Sequence, residues 1–291
     1  MLTRNAVFRF AAIAGLTCFA TAALAQSSEP LTIRKINDRI YMAEGGGGAS
    51  GIVIGQNGVI VIDVKTTAES GKDVVDAVKK LTPKPITTVI FTHSDGDHVN
   101  GIVSFPKGLT IVAQENDKKE MEEALAAGAR GAPPKELLPN KVVTQTREDD
   151  VFDGVKMTLI HVAPAHTSGD LAIYLPDEKV VFTGDLVGNG DPTIHAAKHG
   201  QTEGWIKFVT ALTQLDANTY LLGHAPPATK AQFEAKLKAA SDKRAKITAL
   251  VRESKSLDQI KQALGEAPAP GAAAPRFASY TEVVYDELTK R

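Results

Sequence analysis

The feature that most constrains this chain is a joint between an apolar run and a polar loop. "ITTVIF", Ile86 to Phe91, leads straight into "THSDGDHVNG". The run reads as a buried strand. The loop then packs His93, Asp95, Asp97 and His98 into six residues. Side chains of metal-ligand type at the end of a core strand are held by a rigid scaffold, which is where sites are commonly built.

The same construction recurs further along. His166 lies in "APAHTSGD", Asp185 ends "VVFTGD", and His224 ends "TYLLGH". Four of the seven histidines fall in this set. Imidazole and carboxylate together suit zinc, iron or manganese without cysteine. In an extended loop residues i and i+2 point the same way, so His93 and Asp95 can share one ion. The tight "GDH" turn can aim Asp97 and His98 at a second. A carboxylate such as Asp185 has two oxygens and can bridge the pair, and two ions held together can clamp and polarise a reacting bond.

The surrounding pattern fits an α/β chain. "LTIRKINDRIYMAEG" alternates like a half-buried strand, and "SGIVIGQNGVIVIDV" reads as a hairpin about Asn57-Gly58. Glu69 to Leu81 places Val74, Val75, Val78 and Leu81 on one helical face, and Asp117 to Ala127 is helical. "GARGAPPKELLPN" is a loop. A second round follows: strands at "VKMTLIHVA", "DLAIYLP" and "KVVFTGD", a helix at "GWIKFVTALTQL", and a strand at "TYLLGH". From Thr229 the chain is charged, alanine-rich and helical to about Glu253. Ser256 caps a further helix, "GEAPAPGAAAP" is a connector, and "YTEVVYDELTK" is a short docking helix.

Composition narrows the setting. A net charge of −1 with no basic block offers no footprint for nucleic acid. The N-terminus has Arg4 and Arg9, then "FAAIAGLTCFATAALA", then "ALAQ", the three-part pattern of a signal peptide cleaved after Ala25. Cys18, the single cysteine, lies inside it, so the mature protein would have neither disulfide nor thiolate ligand. The expected address is the periplasm or the outside of the cell, with no membrane association after cleavage and a small molecule as substrate.

On these residues the chain resembles the metallo-β-lactamase superfamily of metallohydrolases. Its opening motif is His-x-His-x-Asp-His after a strand, then a lone His, a bridging Asp in a "GD" turn, and a final His. Here those places hold His93, Asp95, Asp97 and His98, then His166, Asp185 and His224. "VIVIDV" resembles an early strand ending in an aspartate that supports the ligands, here Asp63. The resemblance implies a four-layer αβ/βα sandwich over residues 30–228, after a signal peptide at 1–25 and before a C-terminal helical extension at 229–291. It implies a first ion held by His93, Asp95 and His166. A second would be held by Asp97, His98 and His224, with Asp185 between them and Asp97 orienting the hydroxide and managing a proton.

The departure is Asp95, where most hydrolases of the family have histidine. A carboxylate there makes the site more anionic, so zinc is the expected ion while iron or manganese stays open. Asp95→His is expected to move the preference toward zinc. Asp185, in place of the cysteine of some β-lactamases, points to the broad hydrolase branch. The expected function is cleavage of an ester, lactone, lactam or related acyl bond. The rivals are a non-haem iron oxidoreductase and a metal-binding protein without turnover. His161 reads as a structural histidine, Trp205 and Phe208 as core. His195 and His199 are surface residues or contacts at the cleft mouth, and "EGGGGASG", Glu44 to Gly51, is a flap or a hairpin tip.

Overall fold

The computed structural model describes residues 30–266 and 277–290. The signal-peptide reading, Cys18 and most of the "GEAPAPGAAAP" connector lie outside them. The first half of the chain runs β1 (Thr32–Lys35), β2 (Ile40–Glu44), β3 (Ser50–Ile54), β4 (Val59–Ile62), α1 (Ala68–Leu81), β5 (Ile86–Ile90), α2 (Gly96–Val99), β6 (Thr110–Gln114), α3 (Glu115–Ala126) and β7 (Lys141–Val143). The second half runs β8 (Arg147–Phe152), β9 (Val155–Ile160), β10 (Ala172–Leu175), β11 (Val180–Gly184), α4 (Thr202–Thr213), β12 (Thr219–Leu222), β13 (Ala228–Thr229), α5 (Lys230–Arg252), α6 (Leu257–Leu264) and α7 (Tyr280–Thr289).

Each half builds one sheet. The first has the order β1-β2-β3-β4-β5-β6-β7 and the second β13-β12-β11-β10-β9-β8. Strands β4 to β7 pair in parallel, as do β11 and β12, and the other pairs are antiparallel. Three apolar interfaces then define four layers. In β4 every residue is buried, Val59 and Val61 against α1 residues Val74 and Val78, Ile60 and Ile62 against the facing sheet. Such uninterrupted apolar strands are what burial on both faces requires. The middle interface joins Ile60, Ile62, Ile90 and Val112 to Leu159, Ile173, Phe182 and Leu221. Gly51 belongs to it, because a Cβ there would lie 2.2 Å from the Phe182 ring. The third packs β10, β11 and β12 on α4, α5, α6 and α7, with Trp205 and Phe208 in its core as the sequence indicates.

The helices begin where side chains can cap them. Thr67, Thr229, Ser256 and Ser279 each accept through the side chain from the backbone N–H three residues on, and each donates its own backbone N–H to that residue's side chain.

Some strand readings change. The single strand expected over "LTIRKINDRIYMAEG" is two, β1 and β2, because Asn37 Oδ1 accepts from Arg39 N (3.0 Å) and Ile40 N (2.8 Å) and turns the chain. The strands β6, β7 and β8 were not legible. Of these, β7 is three residues long, and β8 (REDDVF) is an edge strand that exposes Arg147, Asp149 and Val151 on alternate positions and has three consecutive acidic residues in place of an apolar pattern. Solvated edge strands carry charge in place of an apolar run.

Candidate metal centre

The parallel pairs point their C-terminal ends to one edge of the sandwich, and the polar residues of the sequence analysis gather there. Asp63 follows β4, His93 follows β5, Asp185 follows β11 and His224 follows β12. Asp95 leads into α2, which carries Asp97 and His98, and His166 lies in the β9–β10 connection.

The seven side chains fall into two groups that share a carboxylate. In the first, His166 Nε2 is 3.3 Å and His93 Nε2 3.8 Å from Asp95 Oδ2. In the second, Asp97 Oδ2 lies 2.9 Å from His224 Nε2 and 3.7 Å from His98 Nε2. Asp185 sits between them. Its Oδ2 is 3.9 Å from both His93 and His166 and 3.3 Å from His224, and its Oδ1 is 3.3 Å from His98. His93, Asp95 and His166 form a set able to hold one ion, and Asp97, His98 and His224 another.

Hydrogen bonds behind the site fix the histidine tautomers. His98 Nδ1 donates to Asp63 Oδ2 at 2.8 Å, and His166 Nδ1 donates to the Thr193 carbonyl at 2.8 Å. His93 Nδ1 donates to Thr92 Oγ1 at 3.0 Å, whose hydroxyl donates to Asp63 Oδ2 at 2.7 Å. Each ring therefore turns an Nε2 lone pair inward. Two of the inward atoms, His93 Nε2 and Asp185 Oδ1, are buried without any hydrogen-bond partner. Lone pairs converging on carboxylate oxygens need a cation among them, and an imidazole with its other nitrogen tied back is the form metal ligands take. The donor set fits two divalent ions.

The charges agree with that reading. Burial works against a charge on His98, but the Asp185 and Asp63 carboxylates outweigh it and raise its pKa well above the usual value. Burial is opposed in the same way at His166, where Asp95 and Asp170 lift the pKa to about 9. At His224, bonds to Asp185 and Asp97 bring it to about 9. Protons are held tightly because negative oxygens surround these rings, and a metal ion answers the same field. His93, His98 and His166 are 2% exposed or less, whereas the side chains of His224 and Asp97 are 45% and 31% exposed. The site opens on the Asp97–His224 side.

Asp63 has the backbone strain often found at such places. It adopts φ 59°, a left-handed conformation unusual for aspartate, and accepts from Thr92 N (2.8 Å), Thr92 Oγ1 and His98. Lys65, also left-handed at φ 77°, is fully buried and donates to the carbonyls of Ala43 (2.6 Å) and Gly48 (2.8 Å). Burial pulls its pKa to about 7. It ties down "EGGGGASG", which is a packed hairpin tip: Gly48 N donates to Asp97 O at 3.1 Å and Ala49 N to Gly223 O at 2.7 Å.

The remaining histidines divide. His161 is structural, donating from Nδ1 to the Asp170 carbonyl at 2.8 Å. His195 belongs to the site, with Nδ1 at 3.3 Å from both oxygens of Asp95 and the Phe277 ring edge-on at 5.0 Å. His199 is exposed, in a left-handed turn at φ 60°. Two residues that the sequence analysis did not single out complete the surroundings of Asp95. Lys198 Nζ is 2.8 Å from Asp95 Oδ1, and Glu120 Oε2 is 3.2 Å from Lys198 Nζ. No spacing signal marks either, since Lys198 and Glu120 lie far along the chain from Asp95.

Fold and site together have the αβ/βα form with a His/Asp cluster at one edge, and the family comparison agrees: the model described as the metallo-beta-lactamase superfamily matches residues 43–224. The chain belongs to that superfamily. Among curated proteins it is similar to the 2,4-dinitroanisole O-demethylase subunit alpha of Nocardioides sp. (strain JS1661). The two are 27% identical over 207 residues, 70% of this chain and 61% of the relative. It is also similar to the linear primary-alkylsulfatase of Pseudomonas sp. (strain ATCC 19151), at 22% over 199 residues, 55% of this chain and 37% of the relative. The chain thus spans less than two thirds of the length of either protein. Among solved structures, the inverting sec-alkylsulfatase Pisa1 from Pseudomonas sp. superposes with a TM-score of 0.71 at 17% identity, over 89% of this chain and 50% of that one. The mono-zinc form of the metallo-beta-lactamase FIM-1 from Pseudomonas aeruginosa gives 0.62 at 19%, over 74% and 96%. These two likenesses establish the shared fold.

Proposed function

We infer that the protein is a binuclear metal-dependent hydrolase that cleaves an ester-type bond in a small molecule. The observation that carries this is Asp185, whose two oxygens face both ligand sets at once. We assign His93, Asp95 and His166 to the first ion and Asp97, His98 and His224 to the second, with zinc the favoured metal. When bound, such a pair supplies a nucleophile at neutral pH and polarises the bond under attack. The chain's own residues do the rest. Asp63 and Thr193 hold the rings in the metal-accepting tautomer. Asp97 stands at the open side as an ionised acceptor: burial opposes its charge, but His224 and His98 outweigh this and lower its pKa to about 2. It is placed to orient a proton of the attacking water, and His224 beside it faces the entering substrate.

The relatives widen the bond in question. Acyl esters, lactones and lactams suit the geometry, and the names of similar proteins add sulfate esters and activated aryl ethers. Elemental analysis of the purified protein, with a panel of p-nitrophenyl acetate, a chromogenic lactam, p-nitrophenyl sulfate and 2,4-dinitroanisole, tests the reading. Two equivalents of zinc and turnover of one panel member are expected. Protein that takes up no divalent ion would overturn it. The iron oxidoreductase reading draws on Asp95 alone, and bound iron with oxygen consumption would favour it.

A further inference from the structure

Asp95 adds a negative charge where most of the family has a neutral imidazole, and its surroundings answer that charge. The two oxygens are used differently. Oδ2 faces the ligand set, 3.3 Å from His166 Nε2 and 3.8 Å from His93 Nε2. Oδ1 turns outward to Lys198 Nζ at 2.8 Å. Lys198 is itself held in place: Nζ donates to Ser94 Oγ at 2.8 Å and pairs with Glu120 at 3.2 Å. Ser94 donates in turn to Glu120. The Lys198 backbone is fixed as well, its N–H donating to the His195 carbonyl at 2.8 Å and its carbonyl accepting from Ser168 N at 2.9 Å. Its side chain is 25% exposed and that of Asp95 12%, so the pair is only weakly screened by water.

We propose that Lys198 is a positioning residue that offsets the charge of Asp95 and holds its Oδ1 outward, so that the first site binds a divalent ion less tightly than the same carboxylate would without its cation. The inference rests on the two-ion reading above. It differs from the sequence-based expectation that Asp95→His alone converts the site toward zinc. With Lys198 in place, that substitution removes the nearer of its two carboxylate partners and leaves Glu120 alone to answer the cation.

The sign of each substitution follows from the charge count. Asp95, Lys198 and Glu120 sum to −1, with the charge of Asp185 shared between the two ligand sets, and each substitution is counted from that start. Lys198→Met makes the site one unit more negative and tightens a divalent ion. Asp95→His makes it one unit more positive and weakens the ion. Asp95→His with Lys198→Met returns it to its starting charge and restores binding. A lysine that merely braced the loop would give the opposite first result, weaker binding on its removal, in either background.

The experiment is zinc titration against a chromogenic chelator on four full-length proteins: the unsubstituted chain, Lys198→Met, Asp95→His, and the double variant. Lys198→Arg serves as the charge-keeping control. Zinc dissociation constants should move by about 10-fold or more, the scale on which groups behind ligands act. Lys198→Met should lower the first-site constant, Asp95→His should raise it, the double variant should recover, and Lys198→Arg should match the unsubstituted chain. Equal weakening by Lys198→Met in both backgrounds overturns the proposal while leaving the metal reading intact. A full-length chain that binds no zinc, iron or manganese overturns the metal reading and this inference with it.

Discussion

Asp63 faces no ion directly, yet it holds two of the rings that would. It receives His98 Nδ1 and, through Thr92 Oγ1, orients His93. Asp63→Ala should therefore weaken metal binding by roughly 10–100-fold, read as the zinc dissociation constant, while the far-UV spectrum is kept. Unchanged affinity would mean that the rings are held by packing alone. Asp117 gives a second test. It is fully buried with neither oxygen partnered, and burial, followed by the nearby charge of Asp170, pushes its carboxyl well above the usual range. A pKa raised in the folded state means stability that is full below the unfolded value near 3.9 and lost as pH climbs toward the folded one. Asp117→Asn cannot ionise, so its stability relative to the parent should improve as pH rises from about 4 to 8, measured by urea melts. A gap independent of pH would show that Asp117 ionises equally in both states. The seven candidate positions were legible because each follows a recognisable strand in family order. Lys198, Glu120 and Asp117 were not, because single charged residues in ordinary loops and helices have no periodic signature, and only the fold brings Lys198 and Glu120 to Asp95.

Among the elements, the β2–β3 hairpin controls the second ligand set through its thinness. A Cβ on Gly48 would fall 2.3 Å from His98 Cε1 and 2.4 Å from Nε2, on the inward face of that ring. Its backbone also donates to Asp97 O. Gly48→Ala must push either the tip or the ring aside, at about 1–3 kcal/mol for an overpacked contact. The expected result is loss of one metal equivalent by elemental analysis. Gly190→Ala, where the added carbon meets nothing within 4 Å, should leave the metal content alone. Equal metal content in both variants would mean that the tip yields freely. The four consecutive glycines were visible in the sequence, but flap and tip carry the same composition, and only contact with Asp97, Lys65 and Gly223 separates them. An element buried on both faces, such as β4, announced itself by an unbroken apolar run. β8 did not, since an edge strand pairs through its backbone, and of its six side chains Phe152 alone is buried.

At the scale of the whole molecule the chain divides less cleanly than its pattern suggests. We retain the proposal that residues 1–25 are removed on export, and N-terminal sequencing of protein from the native host should find Gln26 first; retained Met1 would refute it. The helical extension after Thr229 is a different matter, because it packs into the same apolar interface as the second sheet. Phe233 stacks on Tyr220 at 4.1 Å, and Ile260, Tyr280, Val283 and Val284 join Trp205 and Phe208 in one cluster. Glu287 on α7 accepts from Thr202 N at 2.7 Å and so satisfies the first turn of α4. That helix follows directly on the turn carrying His195 and Lys198. A chain ended at Arg252 loses four buried apolar side chains, Ile260, Tyr280, Val283 and Val284, each worth about 1.5–3 kcal/mol. Their sum rivals the roughly 5–15 kcal/mol that holds a whole domain folded. The truncated chain should therefore be recovered aggregated, or melt without a cooperative transition by circular dichroism. Equal melting of the truncated and full chains would show that residues 253–291 are an appendage, and that α4 and the Lys198 turn stand without them.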